Sequence, residues 1–154
     1  MCDGNPQNQP GEYIKYLEQT LDIFERDVPR AYLNVVPVFD VTKIADVNTG
    51  LCDLWHSQFC ACGTSADPAE RAQVRAAAAE MQRLTAALVA DPKYHDSPDF
   101  TVELQPFLES TEIPRTSDGS PNAAFFAPDC FHFSKLGQEL ITTGLWNNMV
   151  RDPS

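Results

Sequence analysis

Basic residues are scarce in this chain of 154 residues: 11 Lys and Arg stand against 22 Asp and Glu, for a net charge of −11. That balance repels phosphate backbones and anionic lipid at long range, so nucleic acid is not an expected partner. Long apolar runs are also missing. No 18 consecutive apolar residues occur, and the opening Met1-Cys2-Asp3-Gly4-Asn5-Pro6 has neither the basic nor the apolar stretch of an export signal. Repeats and low-complexity tracts are absent. None of the serines, from Ser57 and Ser65 through Ser97, Ser110, Ser117, Ser120 and Ser134 to Ser154, sits in a Gly-x-Ser-x-Gly or Gly-Asp-Ser setting, so no activated serine is evident.

What the chain does have is 43% apolar and 10% aromatic residues, enough for a packed core. A chain of this length is one domain's worth and buries about 70% of its unfolded surface. Cys2, Cys52, Cys60, Cys62 and Cys130 are many for a cytosolic domain, which points to an oxidising compartment and disulfides. Two bridges among five thiols can be drawn in fifteen ways, five choices of unpaired thiol times three pairings, so the connectivity stays open, as does the alternative of five reduced thiols.

Residues 1 to 11 read as a loop. From Glu12, the spacing of Ile14, Leu17, Leu21, Phe24 and Val28 predicts an amphipathic helix stopped by Pro29. Tyr32 to Phe39 is a β-branched and aromatic run, predicted as a strand covered on both faces in a parallel sheet. Residues 45 to 66 hold the cysteine cluster and show no period, as expected of a cross-linked loop. A second helix is predicted from an Asp67 cap, with Pro68 at its first position, Glu70 completing a capping box, and a buried stripe of Val74, Ala78, Met81, Leu84 and Leu88. Phe100, Val102 and Leu104 alternate with polar residues as a strand closed by Pro106. After a long loop over Glu109 to Pro128, a last helix opens near Ser134 with Leu136, Leu140, Leu145 and Met149 on one side. The order of elements implies α/β with parallel strands. Two strands alone are marginal, so either a strand is missed or part of the domain is missing from this chain.

The chemistry-bearing stretch is Phe125-Phe126-Ala127-Pro128-Asp129-Cys130-Phe131-His132-Phe133-Ser134. An aspartate three residues before a histidine, on a turn leading into a helix, can hold one imidazole nitrogen and leave the other facing a cleft. Asp129 and His132 are therefore the candidate orienting acid and general base, with the flanking aromatics expected to exclude water. A structural helix-start histidine is the plainer alternative, and Ser134 fits as the helix cap. Cys52, His56, Cys60 and Cys62 supply four N/S donors, yet Cys-x-Cys is an awkward bite for one tetrahedral ion, so disulfides rank above zinc and no metal is expected. His95 is expected on a surface loop.

Together with Asp99-Phe100-Thr101-Val102, Gln105-Pro106-Phe107-Leu108-Glu109 and Leu145-Trp146-Asn147-Asn148-Met149, that stretch resembles the C-terminal half of phospholipase B-like members of the GDSL, or SGNH, hydrolase family. Val28-Pro29-Arg30-Ala31 and the Cys60-Ala61-Cys62 loop resemble the same proteins. The resemblance implies a flavodoxin-like α/β/α fold, of which residues 1–154 form a single partial domain. It also implies a serine ester hydrolase acting on phospholipid or lysophospholipid without metal or organic cofactor, in a parent that is extracellular or associated with the cell-surface membrane. By this resemblance Asp129 and His132 are the family's Asp-x-x-His pair. The family's Gly-Asp-Ser nucleophile block and its oxyanion Gly and Asn blocks have no counterpart here. The isolated chain is accordingly expected to be inactive, and a non-catalytic lipid-binding or interaction fragment of the same fold is the alternative.

Overall fold

The computed structural model describes residues 5–47 and 50–150, and the chain divides into two compact units, Met1–Phe39 with Ala76–Glu109 and Asp40–Arg75 with Ser110–Ser154. Cys2 and Ser154 lie outside the described residues.

In the first unit, a 3-10 turn at Pro6–Asn8 precedes α1, Pro10–Asp27. Pro10 suits a helix start because its missing N–H would have had no helical partner. Only Leu21 of the expected stripe is fully buried, with Leu17 half-buried and Phe24 exposed. β1, Ala31–Val35, pairs in parallel with β2, Phe100–Leu104, in the register Ala31 to Phe100, Leu33 to Val102 and Val35 to Leu104. Leu21, Val89, Tyr94, Phe100 and Val102 form the core, with Leu17, Leu33 and Val35 packed on it. Burial of each large apolar side chain there stabilises the unit by roughly 1.5–3 kcal/mol. The Tyr94 hydroxyl donates to Asp22 at 2.9 Å, so its buried phenol is satisfied.

One face of β1 differs from the expected double coverage: Ala31, Leu33 and Val35 meet the core, whereas Tyr32 and Val36 face outward, because among the described residues only one side of the strand is packed. Gln82 Nε2 donates to the Val38 carbonyl at 2.8 Å, fixing the strand's exit to α3, Pro68–Val89. The buried positions of α3 run Val74, Ala78, Met81, Thr85 and Val89, so the stripe shifts by one residue after Met81, and Leu84 and Leu88 are half-buried. Asp67 accepts from Ala69 N at 2.8 Å as a cap, but its own N–H goes to Ser65 Oγ, the role assigned above to Glu70.

In the second unit, Asp40 caps a 3-10 helix at Val41–Asp46 through Thr42 N. The segment expected to be a loop instead forms α2, Gly50–Phe59. Cys52 and His56, four residues apart, lie on one buried side of α2, a two-residue stripe too short to register as a period. The loop after Glu109 is built from turns, including Gly119 at φ 85, and leads into α4, Lys135–Met149. The apolar side expected of α4 is largely exposed: Leu136, Leu140 and Met149 face solvent and Leu145 is half-buried.

Candidate active site

The site is assembled locally between the 3-10 turn at Ala123–Phe125 and the start of α4. Phe126 and Phe133 bridge their backbones, with their rings 5.9 Å apart, and this closes a loop over the intervening residues. Ala127 N–H donates to the His132 carbonyl at 2.7 Å, and Cys130 N–H to the Ala127 carbonyl at 2.9 Å. Ser134 Oγ accepts from Gly137 N–H and donates to the Ala124 carbonyl at 2.6 Å, capping α4 as expected. Gly137 permits this approach, since a Cβ there would collide with the Phe125 carbonyl oxygen.

Inside the loop Asp129 uses both carboxylate oxygens. Oδ1 accepts the N–H groups of Phe131 and His132, each at 3.0 Å, and Oδ2 accepts from His132 Nδ1 at 2.7 Å. A carboxylate can only accept, so Nδ1 carries the proton, and in the neutral ring Nε2 has a free lone pair. The hydrogen bonds from His132 and then from the Phe131 amide hold the Asp129 carboxyl down at about 2. The Phe131 ring stands edge-on to the imidazole at 5.2 Å. These aromatics do not exclude water here: the His132 side chain is 75% exposed. The pair can orient an imidazole and offer a proton acceptor, which is the general-base half of a hydrolytic site. Ser134, the serine nearest in sequence, directs its proton to Ala124 and not to the ring.

His56, weighed above only as one of four possible metal donors, sits instead against the loop that carries Asp129 and His132. It is 3% exposed, and its Nε2–H donates to the Cys130 carbonyl at 2.9 Å. Cys52, one turn earlier on α2, forms a disulfide with Cys130, whose φ of 59 lies in the left-handed region. The four-residue spacing of Cys52 and His56 was the available signal. Cys62 is also disulfide-bonded, while Cys60 is free and burial pushes its thiol upward. With Cys52 and Cys62 in disulfides and His56 Nε2 on a carbonyl, those donors are not arranged as a shared metal site, and no cluster of three metal-ligating side chains occurs among the described residues. A polar cavity of about 560 Å³ is lined by Thr42, Asp53, His56, Ser57 and Arg71 among others, but not by Asp129 or His132. His95 is exposed, as expected of a loop, yet both ring nitrogens are engaged, with Val89 at 2.8 Å and Thr101 at 3.1 Å.

Over residues 1–145 the chain matches the family GDSL-like Lipase/Acylhydrolase, and it belongs to that family. It carries the fold class expected of it, a partial α/β fragment with a parallel strand pair. The curated relatives it is similar to are "Phospholipase B1, membrane-associated" of Homo sapiens and of Rattus norvegicus, each 32% identical over 97% of this chain, and that of Mus musculus at 31% over the same share. The chain spans 11% of the length of the human and rat proteins and 10% of the mouse protein. No solved structure matches. No helix among the described residues is long and apolar enough to cross a membrane.

Proposed function

We propose that residues 1–154 form the acid-and-base half of a serine ester hydrolase domain acting on phospholipid or lysophospholipid, with Asp129 as orienting acid and His132 as general base. The observation that carries the reading is the 2.7 Å bond from His132 Nδ1 to Asp129 Oδ2, which leaves Nε2 open. Membership of the acylhydrolase family and the likeness to phospholipase B1 support the substrate class. In the proposed cycle a serine from outside this chain passes its proton to His132 Nε2 as its oxygen attacks the ester carbonyl. The imidazolium returns that proton to the departing alcohol, Asp129 stabilising the charge. Water, activated by the same nitrogen, then releases the fatty acid. Three disulfide-bonded cysteines, Cys52, Cys62 and Cys130, support an extracellular or cell-surface location.

Removal of a triad serine costs on the order of 10⁶-fold in kcat, and loss of an oxyanion donor by itself on the order of 10²–10³. The isolated chain is therefore expected to release fatty acid from a lysophospholipid, an ester not activated enough for a bare imidazole to attack, no faster than its His132→Ala variant. Turnover above that control overturns the assignment of the nucleophile to a part outside these residues. Diethyl pyrocarbonate, which acylates an unprotonated imidazole nitrogen, provides the test of the base. His132 is expected to react first, because His56 is buried and both nitrogens of His95 are engaged. Peptide mapping that finds His95 modified as fast as His132 removes the base assignment.

A further inference from the structure

We infer that His56 is a positioning residue for the Asp129–His132 pair, acting from α2 by fixing the peptide group between Cys130 and Phe131. The inference rests on the reading of that pair as catalytic, and it follows from two hydrogen bonds made by one peptide unit. The carbonyl of Cys130 accepts from His56 Nε2–H at 2.9 Å, and the N–H of Phe131, on the other side of the same planar amide, donates to Asp129 Oδ1 at 3.0 Å. A peptide unit turns as a rigid plane, so rotation that carries its carbonyl away from His56 carries its N–H away from Asp129.

Cys130 needs such a restraint. Its φ of 59 is uncommon for a residue with a Cβ, and the backbone gains by leaving it. The disulfide to Cys52 ties down the side chain but leaves the plane of the following peptide free to rotate. The bond from His56 acts on that plane directly. Because His56 is 3% exposed, breaking its bond would cost a buried ring N–H its partner, which makes rotation costlier than the loss of a surface contact. The chain of contacts is therefore His56 to the 130–131 peptide, that peptide to Asp129 Oδ1, and Asp129 Oδ2 to His132 Nδ1. Asp129 keeps the ring in the tautomer that leaves Nε2 able to accept a proton.

The test uses the complete 154-residue chain with its disulfides intact, following the Asp129 side-chain carboxyl carbon and the His132 Nδ1–H proton by NMR through an acid titration. In the wild type the Asp129 midpoint is expected at about 2. In His56→Leu it is expected to rise towards the ordinary 3.8 as the Phe131 N–H is lost, with faster exchange of the His132 Nδ1–H. His56→Gln, whose side-chain N–H reaches about as far as Nε2, restores the low midpoint, and the shorter His56→Asn does not. A folded His56→Leu with an unchanged midpoint overturns the inference, since a merely structural histidine would lower the melting temperature and leave Asp129 alone. Should the leucine variant fail to fold, equal midpoints in the Gln and Asn variants overturn it. A wild type with no Nδ1–H signal and an ordinary Asp129 midpoint removes the catalytic pair itself, a failure of the underlying reading visible before any variant is made.

Discussion

In the unit built on α1 and the sheet, order comes from side chains that exclude water together: Leu21, Val89, Tyr94, Phe100 and Val102 meet in one cluster. In the unit that carries Asp129 and His132, the site is held by a disulfide, a buried histidine on a carbonyl, a carboxylate on two amides and a serine cap. The first arrangement is spread over many weak and mutually replaceable contacts. The second is a short series of bonds between fixed partners, one of them covalent. A core of the first kind tolerates a change of shape and fails by loss of volume, whereas a site of the second kind keeps its volume and fails by loss of angle.

Three measurements break or sharpen that contrast. Truncation of Phe100 to Ala removes a fully packed ring and is expected to destabilise the first unit by about 4 kcal/mol in chemical denaturation, the largest effect of the three. Hydrogen exchange should show the loss in β1 and β2. Replacement of Cys52 by Ser opens a bridge spanning 78 residues and is expected to cost about 3 kcal/mol, with lost protection concentrated in α2 and around residues 126–134. Equal loss of protection in the sheet would show that the two units do not rely on separate means. The smallest effect is electrostatic. The Asp129 carboxyl is held at about 2 against an ordinary 3.8, so its contribution to stability is complete above about pH 4 and disappears as pH falls through about 2. Because the pair is solvent-exposed the contribution is small. The melting temperature of Asp129→Asn should therefore fall less than that of the wild type between pH 5 and pH 2.

The same contrast explains what could be read in the sequence. Burial with a period leaves a pattern, so α1, β2 and the start of α3 were legible, as were the caps at Asp67 and Ser134. The Asp129–His132 pair was legible because both partners lie within one turn. α2 was not, since only Cys52 and His56 of its ten residues are fully buried among those described, and two positions define no period. The outward faces of β1 and α4 were misjudged for a related reason: apolar residues mark a surface that some partner can cover, without saying that the partner lies in the same 154 residues. The contact made by His56 escaped notice because its partner is a backbone carbonyl 74 residues away, and a carbonyl has no letter in the sequence.

Gly137 carries a consequence of its own. The first turn of α4 lies against the Phe125 carbonyl so closely that no side chain fits between them, and the same carbonyl accepts the Ser134 amide. Helix and loop are thus in gauge with each other, like two machined faces with no shim. A methyl group inserted at 137 would force helix and loop apart, so a change at this glycine would move the backbone that carries His132 while leaving Asp129 and His132 themselves in the sequence.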